Sequence, residues 1–217
     1  MPENGARRRE ENIGRIREGL VRARELSLRT VGFGLMLATQ GRPVEAVSVL
    51  VGNTETDDEV ARVRSEEWLA SLEGDVERLR ALDAQGEGAA AGWMGLVQLM
   101  QADERGAREA WTRGEAAGDM LAALGMGALL LRDGRLDDAE RSLDRAADRG
   151  SATGAALVAM IRAARGDESG GRVAMERADA LGFQWNHQRN EPPSAGPRRA
   201  AAKLLRRGAA ALRKAGS

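Results

Sequence analysis

The chain has no cysteine, no tyrosine, two phenylalanines and a single histidine among 217 residues. Without cysteine there is neither disulfide nor thiolate chemistry, and nothing fixes the redox compartment. His187 cannot assemble a zinc site, which needs three or four protein ligands, and no nucleophile stands at a recognisable spacing from it. The scarcity of aromatics also argues against a sugar cleft built around paired carboxylates. No catalytic, cofactor-binding or metal-ligating set is assigned, and no small-molecule substrate is expected. Charge of one sign is missing too: 33 basic residues balance 33 acidic ones, so overall attraction to nucleic acid is not implied. No apolar run approaches the roughly twenty residues of a membrane helix. The opening MPENGARRREEN has basic residues without an apolar core behind them, unlike a secretory signal. A cytoplasmic protein is expected, and the Arg-, Ala- and Gly-rich, Lys-poor usage suggests a bacterial, GC-rich genome.

What the chain does have is a repeat. Shifted by thirty-two residues it lies over itself: Gly86, Gly118, Gly150 and Gly182 share one register, and Leu79, Trp111, Leu143 and Met175 share another. Gly95, Gly127 and Ala159 form a third. Near the N-terminus GRPVEAVSVL copies GRLDDAERSL, aligning Gly41, Arg42, Ala46 and Leu50 with Gly134, Arg135, Ala139 and Leu143. A period of this length marks stacked helical units, none of which can bury its apolar face alone. Leu124, Ala128 and Leu131 follow helical spacing and form one face of a first helix. Gly134 ends that helix where a left-handed residue is needed. Ala139 and Ala146 let a second helix approach closely, with Leu143 between them, and Gly150 turns the chain into the next copy.

Gly127, Gly134, Ala139, Leu143 and Ala146 resemble the tetratricopeptide repeat. The pair Ala146 and Ala147, closed by Gly150, is closer to its Sel-one-like relative. Gly34, Gly41, Ala46 and Leu50 meet most of the pattern, with Asn53 departing from it. The copy from Gly88 keeps Gly95, Ala107 and Trp111 but has Ala102 for the turn glycine. The copy from Ala152 keeps Gly166, Met175 and Ala178 but has Gly171 for an alanine. The stretch from Thr56 to Gly86 is the weakest match. The resemblance implies an all-α, right-handed solenoid of antiparallel helix pairs, about five repeats over residues 28–182. A cap helix would occupy residues 1–27, a Pro-containing linker 183–196 and a basic C-terminal helix 197–217. It further implies a non-catalytic scaffold or adaptor that binds a protein partner or itself.

In such an array the first helices line a concave groove. Carried over by position, that groove displays Leu28, Val31 and Leu35, then Trp93, Leu96 and Met100, then Leu124, Ala128 and Leu131, then Leu157 and Met160. Leu35, Trp93, Leu96, Met100, Leu131 and Met160 are the candidate partner-binding residues. The row is apolar and lacks the Lys, Arg and Asn with which some relatives clamp a carboxylate. It either receives an apolar helix or is core between repeats, with Trp93 and Met100 the residues expected to be exposed.

The flanks offer other surfaces. Ile13, Ile16 and Leu20 share one face of an N-terminal helix over residues 7–26, which would dock on the first copy as a cap or engage a partner. Between Glu55 and Glu77, nine acidic residues face Arg62 and Arg64; such a run reads as a solvated face, and no calcium-loop spacing accompanies it. After Gly182, Pro192 and Pro193 interrupt any helix, and Phe183 and Trp185 are expected to pin the linker to the last copy. In the tail, Leu204, Leu205 and Leu212 oppose Arg199, Lys203, Arg206, Arg207, Arg213 and Lys214. This segment would cap the array, lie on an anionic membrane, hold nucleic-acid phosphates or meet the acidic segment.

Overall fold

The computed structural model describes residues 3–52, 58–72 and 75–184. Among these it is all-helical: α1 (Glu3–Arg22), a short 3-10 turn (Ala23–Glu25), α2 (Leu28–Thr39), α3 (Pro43–Leu50), α4 (Asp58–Ser71), α5 (Asp75–Ala84), α6 (Gly88–Met100), α7 (Glu104–Ala116), α8 (Met120–Arg132), α9 (Leu136–Asp148), α10 (Ala152–Ala164) and α11 (Glu168–Ala180).

From α6 to α11 the chain keeps a strict cadence. Each helix has thirteen residues, and each begins sixteen residues after the one before. Local chemistry sets both ends. The side chains of Asp103, Asp119, Ser151 and Asp167 accept hydrogen bonds from the backbone N–H groups of Gly106, Ala122, Gly154 and Gly170. Each cap satisfies an otherwise orphaned donor and is worth about 1 kcal/mol. At the C-terminal ends Gly134 and Gly166 take φ of 72° and 85°, and Ala102, at the equivalent place, takes 63°.

Four adjacent pairs pack extensively: α2 with α3, α6 with α7, α8 with α9, and α10 with α11. Small residues set their separation. A methyl on Gly127 would come within 2.6 Å of Leu143 Cγ, and Ala139 and Ala146 are fully buried. Between pairs the filler is Trp111, whose Nε1 donates to the Gly92 carbonyl at 3.0 Å. Methyls on Gly95 in α6 or Gly125 in α8 would overlap its indole. Outside this core runs a ladder of ion pairs: Arg113 to Asp83 at 2.5 Å, Arg145 to Glu115 at 2.7 Å and Arg177 to Asp148 at 2.7 Å. The three arginines are thirty-two residues apart in turn, so the rung recurs, with the last acidic partner one residue further along.

Three expectations change. Helix α1 begins at Glu3 rather than near Arg7. The stretch that matches the repeat least behaves differently: α4 packs on α2 and α5 on α6, each more than on the other. And α1 does not dock on the first pair. It lies along α10, in the last described pair. Phe183 is buried in the core, its N–H donating to the Ala178 carbonyl at 2.9 Å. Trp185, His187 and the basic C-terminal segment lie outside the described residues.

Candidate interaction surface

The first helices of the pairs, α6, α8 and α10, carry nearly continuous apolar surface. In α6 every residue from Ala90 to Val97 is buried, and in α10 every residue from Thr153 to Ile161. Surface of this kind must be covered on more than one side. The second helices α7, α9 and α11 cover one side, and the N-terminal quarter of the chain covers another. Helix α2 packs across α6 and α8, α3 reaches α10, and the 3-10 turn rests on α8. A methyl on Gly32 would lie 3.1 Å from Met100 Cγ. Trp93 is sheltered by Trp68 of α4, the two rings stacked with centroids 6.1 Å apart and planes inclined by 19°.

This arrangement agrees with the core alternative and departs from the expectation that Trp93 and Met100 are exposed. Leu35, Trp93, Leu96, Met100, Leu131 and Met160 are all buried, and even Trp93 is only 8% exposed. They are core in the isolated chain because α1 to α4 occupy the face they would otherwise present. Sequence spacing placed them on one row but could not say what lies across it. The tail residues Arg199, Lys203, Arg206, Arg207, Arg213 and Lys214 fall outside the described residues.

Among the described residues, clefts remain beside the covering helices. One, of about 360 Å³, opens between the α2–α3 turn and the starts of α8 and α10, with Pro43, Leu121, Leu124, Thr153 and Gly182 among its walls. Its helix N-termini are already capped by Asp119 and Ser151. Burial pushes the Asp119 carboxyl above the usual carboxylate range, although the N–H groups of Ala122, Leu121 and Met120 and the charge of Arg149 pull the other way.

A second cleft, of about 250 Å³, lies between α1 and the last described pair. Ile13 and Ile16 form one wall; Ala159, Met160 and Ala163 of α10 with Gly171 and Met175 of α11 form the other. Arg9, Asn12, Glu168 and Arg172 stand at its rim. Two polar contacts tie α1 across it. Arg17 Nε donates to the Ala164 carbonyl, the last of α10, at 2.9 Å. That oxygen is one of four left without an intrahelical donor, at the negative end of the helix dipole. Arg9 stands 3.5 Å from Glu168 at the start of α11. The Ile13–Ile16–Leu20 stripe was legible in the sequence; its seat on α10, where Arg17 meets a carbonyl 147 residues away in the chain, had no local signal.

Several other charged side chains are committed to the framework. Glu104 bonds both Arg108 and Arg132 at 2.7 Å, and Arg108 also bonds Asp133. Burial pushes the Glu104 carboxyl up, but these two arginines outweigh it and leave it below its ordinary value. Within the acidic segment, Arg62 pairs with Glu66 and Arg64 with Glu67. Among the described residues no group of three or more His, Cys, Asp and Glu side chains is gathered as a metal site would require, and no helix is long and apolar enough to cross a membrane. Comparison of the chain with models of known protein families, with curated proteins and with solved structures found no match.

Proposed function

We propose that this chain is a non-catalytic interaction scaffold, a right-handed solenoid of tetratricopeptide-like or Sel-one-like helix pairs that binds a protein partner in a bacterial cytoplasm. The observation that carries the reading is the recurrence of one structural unit from α6 to α11, with equal helix lengths, equal spacing and a paired arginine at thirty-two-residue intervals. A chain built this way spends its residues on stacking identical units, and what it offers outward is shaped surface. Partner recognition suits such a surface better than bond-making does, since the polar groups are drawn into caps and inter-helix pairs.

The test is affinity capture of the tagged full-length chain from its native cell, followed by sedimentation of what is recovered. The reading expects a discrete protein in near-stoichiometric amount, or a defined homo-oligomer. A chain that sediments as a monomer and recovers no stoichiometric protein overturns it.

A further inference from the structure

Helix α1 covers the end of the apolar face, yet it fits poorly there. Of its described side chains only Leu20 is a large apolar group fully buried; Ile13 and Ile16 are half-buried, and every residue from Ala6 to Asn12 is exposed. Beneath Ile13 and Ile16 stands the cleft of about 250 Å³, with walls that are almost wholly apolar. The cleft is open to solvent, so an apolar side chain that reached into it would remove further apolar surface from water. The seat also offers acceptors to a basic helix, although Arg172 stands at the same rim. It presents the carbonyl end of α10 and the carboxylate of Glu168, and α1 answers with Arg17 and Arg9.

We propose that this seat on α10 and α11 is a helix-binding site, held in the isolated chain by α1 and taken in the working complex by a basic amphipathic helix of a partner protein. The proposal rests on the scaffold reading and gives it a place and a partner class. The visiting helix keeps arginines at the places of Arg9 and Arg17, where they meet Glu168 and the Ala164 carbonyl. At the places of Ile13 and Ile16 it carries larger apolar side chains that reach Met160, Ala163 and Met175. Displacement is feasible because α1 loses little on leaving: its buried apolar surface is small, and its tie to Glu168 is an exposed ion pair, with the Glu168 side chain 59% accessible. Such pairs are weak in water, so a visiting helix displaces α1 once its added contacts in the cleft outweigh the advantage α1 has from being tethered.

The experiment uses the full-length chain with two fluorescent synthetic peptides. One has the sequence of residues 3–22; the other is the same peptide carrying Ile13→Trp. Because the chain lacks cysteine, an exposed α1 residue can be replaced, as Arg8→Cys, and spin-labelled to report release of α1. The Ile13→Trp peptide is expected to bind about tenfold more tightly than the native-sequence peptide, a difference of about 1.4 kcal/mol. On saturation the label should become mobile. In the chain, Glu168→Arg should weaken binding of both peptides several-fold, and Ala163→Glu, which places a carboxylate on the cleft wall, should abolish it. Equal affinity for the two peptides, or binding that leaves the label unchanged, overturns the proposal. If Ala163→Glu lowers the melting temperature, the exposed Glu168→Arg variant decides. A chain that captures a stoichiometric partner but ignores both peptides overturns the seat alone. Peptide binding without any cellular partner overturns the scaffold reading, and with it the partner helix, while the seat itself stands.

Discussion

Ala102 is the one residue other than glycine that holds a positive φ among the described residues, at 63°. Its equivalents, Gly134 and Gly166, are free of the steric cost that a β-carbon meets in the left-handed region, about 1–2 kcal/mol. Replacing Ala102 by glycine should therefore stabilise the chain, by up to about 1 kcal/mol after the greater entropy of unfolded glycine is subtracted. A urea melt would show it as a higher midpoint at unchanged slope; a lower midpoint would mean that the strain is relieved some other way. The position of this misfit was legible in the sequence, because Ala102 broke a register that glycine otherwise kept. Trp93 and Met100 teach the reverse. Both fell on the expected row, but their neighbours Trp68 and Gly32 come from segments whose approach no spacing rule encodes. Trp93→Ala should cost about 3–5 kcal/mol and Met100→Ala about 2–5 kcal/mol, measured by the same melts. Losses of under 0.5 kcal/mol would return both residues to the surface.

A helix in this chain is defined by its two ends and one stripe, and Asp119 shows how an end can work against itself. It caps α8 by accepting from the Ala122 N–H at 2.7 Å, yet its burial raises the carboxyl pKa in the folded state. A carboxyl raised above its unfolded value favours the folded state while protonated, and that stability is lost as pH rises through the folded pKa. Asparagine at this position keeps an oxygen acceptor, caps about as well as aspartate and carries no charge to bury. Asp119→Asn should therefore raise the urea midpoint at neutral pH, with the gain vanishing below the ordinary carboxylate range. A gain that persisted in acid would exclude burial of charge as the cause. Glu104 has the opposite sign: held below its ordinary value by Arg108 and Arg132, it contributes stability at neutral pH that is lost as acid protonates it. The C-terminal ends could be read in advance, since Gly134 and Gly150 mark them chemically; the aspartate caps at Asp103, Asp119 and Asp167 came from the structure. The weak pair could not be placed: Thr56 to Gly86 lacks the small-residue spacing that locks α8 to α9, and its helices lean on α2 and α6 instead.

At the scale of the whole molecule the decisive feature is that the first pair touches the last. Helix α3 packs on α10, and α1 lies along the same helix, so segments more than a hundred residues apart close on each other. In a linear array each unit meets only its neighbours, unfolding can begin at an end, and a local lesion is felt locally. Here the apolar face that would form an open groove is shared between the N-terminal helices and three successive pairs, which joins the first and last described pairs in one core. Val47, fully buried in α3, lies within that core. Val47→Ala should cost about 2 kcal/mol through the methyls removed and the space they leave. Native-state hydrogen exchange will show how far this loss travels. If the closed arrangement couples the ends, the slowest amides of α10 and of α6 should lose protection together, each by the full destabilisation, although α6 does not contact α3 extensively. If the units behave as a chain of nearest neighbours, protection should fall in α2 and α3 while α8 to α11 keep theirs. That second outcome would make contact between the ends a weak closure, and the covered face would open far more readily than the whole molecule unfolds.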